Sequence, residues 1–130
     1  ISIVKAAKDQ ILKNVGVAYI DLNGLKAIND NYGHSNGDKF ICTAADTFKM
    51  VFPDNSYRIG GDEFVIIEQN IERDKYEERI TALKNIMQDK QVSISIGVLW
   101  REYVDDLEEL LKAADKLMYM EKEMYHNNRE

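Results

Sequence analysis

Two adjacent carboxylates, Asp62 and Glu63, follow a pair of glycines and are the residues best placed to do chemistry. The β-prone runs on both sides predict a hairpin over about 56–68, with these four residues at its turn. Because glycine reaches positive φ without steric cost, Gly60 and Gly61 are expected to make this turn tight. Neighbouring side chains in a strand point to opposite faces, so one carboxylate can face a cleft while the other turns aside. The simpler interpretation is a solvated acidic turn.

A third carboxylate, Asp21, directly follows a continuous apolar run over 15–20 that predicts a strand buried on both faces. If this strand and the hairpin are neighbours, Asp21 and Asp62 meet at one edge of the sheet. Hard divalent cations that handle phosphates favour oxygen ligands, commonly one or two carboxylates with water and phosphate oxygens. The pair therefore indicates a divalent metal site, although Asp21 alone would be interpreted as a turn residue.

Apolar periodicity predicts the elements that would position these carboxylates. The predicted helices cover about 2–13, 25–31, 38–51, 72–88 and 105–126, and the predicted strands cover 15–20, the hairpin over 56–68, and 92–99. The candidate caps of the third helix are Ser35, Asn36 and Asp38. The residues expected to be buried by the last helix are Leu107, Leu110, Leu111, Ala114, Leu117 and Met118. This order predicts an α+β fold in which helices flank a mostly antiparallel sheet.

Composition limits the classes of function. A chain of 130 residues is enough for one domain with a buried core, and its net charge of −6 argues against general affinity for nucleic acid. The single Cys42 cannot form an internal disulfide, which fits a reducing cytosol, and we expect it to be a small core residue on a helix. No apolar run approaches membrane-spanning length, so no membrane contact by this domain is expected.

The residues from Gly60 to Phe64 read Gly-Gly-Asp-Glu-Phe, which resembles the signature of the GGDEF family, the diguanylate cyclases. Residues 21–38 are similar to the family's Asp-x-Asp-x-Phe-Lys-x-x-Asn-Asp-x-x-Gly-His-x-x-Gly-Asp, and residues 114–122 to its Ala-Asp-x-Ala-Leu-Tyr-x-Ala-Lys. A Ser-Ile-Gly strand at 95–97 also fits. The resemblance covers nearly the whole chain and implies a ferredoxin-like βααββαβ core, as in class III nucleotide cyclases.

The resemblance also implies roles for the matched polar positions. It places a divalent cation, Mg²⁺ or Mn²⁺, on Asp21, the Leu22 carbonyl and Asp62. Glu63 would be a further metal ligand or the acceptor of the 3′-hydroxyl proton, so that Asp62 and Glu63 form the catalytic pair.

The same resemblance implies which residues would bind the base and the phosphates of the nucleotide. Asn29 and Asp38 would read guanine, and their chemistry fits, since a carboxylate accepts from N1–H and N2–H₂ and an amide donates to O6 or N3. Either residue alone would be interpreted as a turn residue or a helix cap. The implied phosphate ligands are Lys122 and the backbone N–H groups of Asn23, Gly24, Leu25 and Lys26.

The implied activity is the condensation of two GTP molecules into cyclic di-GMP and two pyrophosphates across a homodimer, for bacterial second-messenger signalling. The chain begins with Ile1 rather than Met. We expect residues 1–130 to be one domain excised from a longer protein with an upstream sensory domain. The domain itself would be cytoplasmic, even if the whole protein is anchored in a membrane. The alternative is a degenerate domain that binds GTP and regulates a partner without catalysis.

The sequence departs from the family pattern at several places, and two of these, the unmatched N-terminal segment and the change at residue 126, favour that alternative. Asn23 replaces the usual second Asp, Leu25 replaces a common Phe, and the family's N-terminal Asp-x-Leu-Thr-Gly-Leu-x-Asn-Arg segment has no match. His126 stands where the family usually has an Arg, and it lacks the fork of donors that grips phosphate. The family's inhibitory Arg-x-x-Asp motif falls at residues 51–54, where Asp54 is retained but Val51 replaces the arginine. We therefore expect no inhibitory product site.

Overall fold

The computed structural model describes residues 2–128 as a four-stranded sheet with helices on both faces. Its elements are α1 (Ser2–Ala6), β1 (Leu12–Leu22), α2 (Leu25–Tyr32), α3 (His34–Val51), β2 (Ser56–Arg58), β3 (Glu63–Glu68), α4 (Arg73–Asp89), β4 (Ile94–Val104) and α5 (Leu107–Asn128). The strand order is β2-β3-β1-β4, and each neighbouring pair is antiparallel. The predicted element order and antiparallel sheet are confirmed.

Strand β1 lies at the centre of the sheet because its side chains are apolar on both faces. Ala18 and Ile20 pack into a core with α3 and α4, and Val15 and Val17 pack into a second core with α5. All four side chains are fully buried. Complete burial of a valine or isoleucine contributes about 1.5–3 kcal/mol. The two cores therefore fix the register of β1, and with it the position of Asp21 near its end.

The first helix is shorter than the sequence predicts, and two strands are longer. The predicted helix over 2–13 is wrong beyond Ala6, because β1 already begins at Leu12 and pairs there with Val104 of β4. Ile11, which fits the helical spacing, is 69% exposed. The extension of both strands comes from their pairing with each other, which local periodicity does not reveal.

The helix α3 begins four residues earlier than predicted. Its N-cap is Gly33, whose φ of 87° lies in the region that favours glycine and lets the chain turn sharply after α2. The three candidate caps, Ser35, Asn36 and Asp38, instead lie inside the helix. Cys42 lies on this helix as predicted but is exposed, so its assignment to the core is wrong.

No helix within residues 2–128 combines the length and the apolar character that a membrane span requires.

Candidate active site

Asp21 is a buried carboxylate at the end of β1. Alternation along the strand places it on the face covered by α5, and there its Oδ2 accepts a hydrogen bond of 2.9 Å from the Lys122 Nζ. The Asp21 side chain is only 5% exposed, and within residues 2–128 its Oδ1 has no hydrogen-bond partner. A buried polar atom without a partner costs free energy, so this oxygen has an unused capacity to bind a donor or a cation.

Glu63 lies directly opposite Asp21 in the pairing of β1 with β3, so both side chains project from the same face of the sheet. Asp62 immediately precedes Glu63 in the chain. Its backbone carbonyl accepts the Leu22 N–H at 2.8 Å, and this bond holds the hairpin turn against the end of β1. The structure therefore brings the three predicted carboxylates to one edge of the sheet.

The proximity of these groups changes their proton affinities. Burial raises the pKa of Asp21, and Lys122 opposes this rise while Asp62 adds to it. Burial, followed by the charge of Asp21, also raises the pKa of Glu63. The Tyr19 hydroxyl has a pKa raised to about 12, chiefly by burial and then by Glu63. Negative charge is thus crowded at this edge, and a cation would relieve it.

The turn before Asp62 is built differently from the expectation. The predicted hairpin is present, but neither Gly60 nor Gly61 has a positive φ, so the expectation that positive φ makes the turn tight is wrong. Arg58 holds the turn instead, since its Nε donates to the Gly60 carbonyl at 3.0 Å and its Nη2 to the Gly61 carbonyl at 2.7 Å. A Cβ added at Gly61 would meet no atom of the described chain within 4 Å. The backbone beside Asp62 is therefore open to close approach.

Asn23 is buried, and both ends of its side-chain amide and its backbone N–H are hydrogen-bonded. Its Nδ2 donates to the Ser93 Oγ at 3.0 Å, its Oδ1 accepts from the Ser95 Oγ at 3.0 Å, and its backbone N–H donates to the Ser93 carbonyl at 2.9 Å. The side chain therefore ties the turn after β1 to the start of β4. Because its N–H is occupied, the predicted phosphate cradle narrows to residues 24–26.

The residues of the predicted cradle lie at the N-terminus of α2. Its N-cap, Gly24, has a φ of 82°, and no side chain within residues 2–128 caps the helix. The first N–H groups of any helix lack partners inside the helix. They border a cleft of about 360 Å³ lined by Leu22, Asn23, Gly24, Leu25, Lys26, Ala27, Asp30, Asp62, Lys122 and His126. The cleft thus gathers most of the predicted metal and phosphate residues, and His126 reaches it too.

The predicted guanine pair lies outside that lining, where α2 meets α3. A Cβ added at Gly37 would lie 1.7 Å from the Asn29 Oδ1, so the Asn29 side chain rests on the bare backbone of Gly37. Asp38 is the next residue along α3 and is exposed. The helix packing thereby brings Asn29 and Asp38 close together, and Gly37, which the sequence analysis did not single out, is the residue that allows it.

The arrangement does not form a complete protein cage for a metal. Within residues 2–128, no three side chains of His, Cys, Asp or Glu surround a common point closely enough to bind an ion by themselves. The unpaired Asp21 Oδ1 and the neighbouring Asp62 fit a cation that takes its other ligands from water and phosphate, as Mg²⁺ does.

Comparison with known proteins agrees with this geometry. The chain matches the family model "Diguanylate cyclase, GGDEF domain" over residues 3–128, and it therefore belongs to the GGDEF family. The family assignment and the fold class made from the sequence are confirmed. Members of this family generally depend on a divalent metal, bind GTP and cyclic di-GMP, and act as dimers.

Two relatives share a third or more of their aligned residues with this chain. It is 38% identical over 124 residues to the signaling protein YkoW of Bacillus subtilis, covering 85% of this chain and 15% of YkoW. It is 34% identical over 116 residues to the diguanylate cyclase DgcS of Shewanella oneidensis, covering 84% of this chain and 39% of DgcS. The chain thus spans well under half the length of these curated relatives.

A solved structure shows the same architecture. The GGDEF domain of TpbB, also called YfiN, from Pseudomonas aeruginosa is 26% identical to this chain. The two superpose with a TM-score of 0.74, over 86% of this chain and 73% of that one.

Proposed function

We propose that this domain condenses two GTP molecules into cyclic di-GMP, working as one half of a homodimer. The observation that carries the proposal is the buried Asp21, whose unpaired Oδ1 lies beside the Gly-Gly-Asp-Glu turn. A buried carboxylate oxygen without a partner, next to a cleft bordered by helix N–H groups, fits a metal-bound nucleoside triphosphate. The relatives named diguanylate cyclases support the same activity.

The reaction would proceed twice by the same step. The 3′-oxygen of one GTP forms a bond to the α-phosphorus of the other, while the bond from that phosphorus to the pyrophosphate oxygen breaks. Pyrophosphate leaves with the electron pair, and the hydroxyl proton passes to a base. Glu63 is the candidate base, or else a further metal ligand. Because its pKa is raised, chiefly by burial, Glu63 holds a proton more strongly than a solvated glutamate does.

The residues around Asp21 would bind the metal and the phosphates. Asp21, the Leu22 carbonyl and Asp62 are the proposed ligands of Mg²⁺ or Mn²⁺, which when bound would supply a positive charge beside the hydroxyl and the leaving group. Lys122, which lies 2.9 Å from Asp21, would donate to phosphate oxygens. The proposed backbone donors are the N–H groups of Gly24, Leu25 and Lys26.

Asn29 and Asp38 would select the base. Guanine offers N1–H and N2–H₂ to the Asp38 carboxylate, whereas adenine has no N1–H and presents an amine where guanine presents an acceptor. A matched buried partner that is lost costs about 1–3 kcal/mol for each unsatisfied group. GTP should therefore be converted in preference to ATP.

The proposed homodimer follows from the number of GTP molecules that the reaction needs. One domain supplies one cleft, so a second copy must bring the second GTP opposite the first for both bonds to form. The curated relatives are far longer than this chain, which supports a domain of a larger bacterial signalling protein, and we propose that the rest includes an upstream sensory domain. We place the domain in the cytoplasm, where GTP is available.

The degenerate alternative has less support. His126 reaches the cleft in place of an arginine, which is expected to weaken triphosphate binding. The intact string from Gly60 to Phe64 and the relatives named diguanylate cyclases, by contrast, favour catalysis.

Product analysis by mass distinguishes the two. Dimeric protein incubated with GTP and Mg²⁺ should yield cyclic di-GMP and pyrophosphate, and the Asp62→Ala variant should yield neither while remaining folded. Binding of GTP without conversion would favour the degenerate alternative. Full activity of the Asp62→Ala variant would contradict the site assignment.

A further inference from the structure

The helix α5 carries an exposed apolar stripe beside the face that it buries. The stripe consists of Ala113, Leu117, Met120 and Met124, and the last three are 39%, 61% and 62% exposed. Its spacing of four, three and four residues is that of the a and d positions of a coiled coil. Such a surface is expected where a helix packs against another helix.

The exposure of the stripe follows from how α5 docks on the sheet. A Cβ added at Gly97 of β4 would lie 1.9 Å from the Ala114 carbonyl oxygen, so the helix rests directly on the strand backbone at that point. Ala114 and Met118 are buried there, and Leu117 is left at the rim. The prediction that Leu117 belongs to the buried face is therefore wrong.

The stripe is separate from the nucleotide cleft. Lys122 projects from α5 toward Asp21, and at 100° per residue it lies roughly 140° around the helix axis from Leu117. On the side of the stripe, the Glu121 Oε1 accepts the Ile96 N–H at 3.2 Å, at the outer edge of β4. A partner that packs on the stripe would therefore leave the cleft uncovered.

We propose that this stripe packs against the same stripe of a second copy of the chain, with the two α5 helices antiparallel about a two-fold axis. In that register Leu117 lies opposite the partner's Met120, and Ala113 lies opposite the partner's Met124. The small Ala113 then faces the large, flexible Met124, and the two-fold axis repeats each contact. The apolar surface of each copy is thereby complementary to itself.

The charges that flank the stripe support the antiparallel direction. Lys116 and Glu123 both occupy g positions, and an antiparallel pair sets Lys116 against the partner's Glu123 and the reverse. Antiparallel helices also place their opposed dipole ends together. A parallel pair would instead need Glu121 for Lys116, but Glu121 is already bound to the Ile96 N–H.

Sedimentation of the chain without GTP or metal, over a concentration series reaching several hundred micromolar, tests the proposal. The wild-type chain should dimerise. Lys116→Glu alone and Glu123→Lys alone should each weaken dimerisation about tenfold or more, because each sets two like-charged pairs across the interface. The double variant restores opposite charges and should recover the wild-type dissociation constant. Met120→Glu should abolish the dimer.

The matched control is Met50→Glu, which changes an equally exposed methionine on α3 and should leave dimerisation unchanged. A wild-type chain that stays monomeric throughout the series would overturn the proposal. Failure of the double variant to recover dimerisation, with its circular dichroism spectrum intact, would overturn the antiparallel register. Because nucleotide is absent, neither result depends on the proposed catalytic activity.

Discussion

Asp21 experiences two opposing influences. Burial and the neighbouring Asp62 favour its neutral form, whereas Lys122 favours its charged form, and burial is the largest of these effects. The ionised carboxylate therefore costs stability in the folded chain and is expected to be kept for binding rather than for folding.

Asp21→Asn should separate these two roles. We expect GTP turnover to be lost, because an amide is a poor ligand for Mg²⁺, while the free energy of unfolding at neutral pH is unchanged or increased. The pKa of Asp21 is raised above its unfolded value of about 3.9, so the folded wild-type chain binds more protons between the two values. Its stability should fall as pH rises through that window, and this decrease should be absent from the variant.

Urea unfolding at a series of pH values measures this effect. Asp46→Asn changes an exposed aspartate on α3 and should follow the wild-type curve. An Asp21→Asn variant that is much less stable than the wild type at neutral pH would show that the ion pair with Lys122 outweighs the cost of burial.

Asn23 is expected to act through structure rather than as a metal ligand. Asn23→Ala removes the partner of two serine hydroxyls and should lower the free energy of unfolding by about 1–3 kcal/mol. Asn23→Asp, which restores the usual family residue, keeps acceptors for both hydroxyls but adds a buried carboxylate to the crowded acidic edge, so without metal it should also be less stable than the wild type. Urea unfolding gives both values, with Asn127→Ala, an exposed change near the end of α5, as the control. Wild-type stability of Asn23→Ala would refute the structural role.

Among the secondary-structure elements, the β2–β3 hairpin depends on one side chain for the shape of its turn. Arg58 is exposed, yet its guanidinium donates to two successive glycine carbonyls. Removing these donors leaves exposed carbonyls that water can satisfy, so the cost in stability is expected to be small. The position of Asp62 relative to Asp21 would nevertheless become less fixed.

Arg58→Ala should therefore lower kcat by about tenfold or more while changing the free energy of unfolding by less than about 1 kcal/mol. Metal titration of activity should show a weaker apparent affinity for Mg²⁺, which a general loss of stability would not produce. The control is Arg101→Ala, since among residues 2–128 the Arg101 side chain bonds only to the adjacent Trp100 carbonyl. An unchanged metal titration curve for Arg58→Ala would contradict the positioning role.

The sequence predicts best what depends on local pattern. Asp21, Asp62 and Lys122 stand in linear motifs, and the structure brings them to one edge of the sheet. Contacts that join distant segments were not predictable in this way. The Asn23 side chain bonds to serines some 70 residues away, and the early end of α1 depends on the pairing of β1 with β4.

The sequence also did not show which glycines adopt a positive φ. The start of α3 depends on a positive φ at Gly33, whereas the two glycines of the hairpin, which invited the same interpretation, do not have one. Glycine in a sequence permits this conformation without requiring it.

For the whole molecule, the remaining question about regulation is whether cyclic di-GMP feeds back on the domain. Val51, the last residue of α3, is half-buried and packs against the core, and Asp54 is exposed. A cyclic dinucleotide carries two phosphates, which arginine binds with paired, charge-assisted donors that valine lacks.

We therefore predict that cyclic di-GMP does not bind tightly at residues 51–54. Calorimetric titration of the domain should give no heat assignable to that site, and the product should not inhibit turnover through it. Val51→Arg would supply the missing donors and should create or strengthen binding. Tight binding by the wild type that disappears in Asp54→Ala would show that the site works without its arginine.

The direct seating of α5 on Gly97 has a consequence for how such a chain can diverge. Because the helix meets the strand backbone there, its height above the sheet does not depend on the size of intervening side chains. Lys122 lies eight residues beyond Ala114, which is about 12 Å along the helix at 1.5 Å per residue. The position of Lys122 relative to Asp21 is thus set by the contact between Ala114 and Gly97. Substitutions elsewhere in the two cores can accumulate over evolution while the distance between these two charges is preserved.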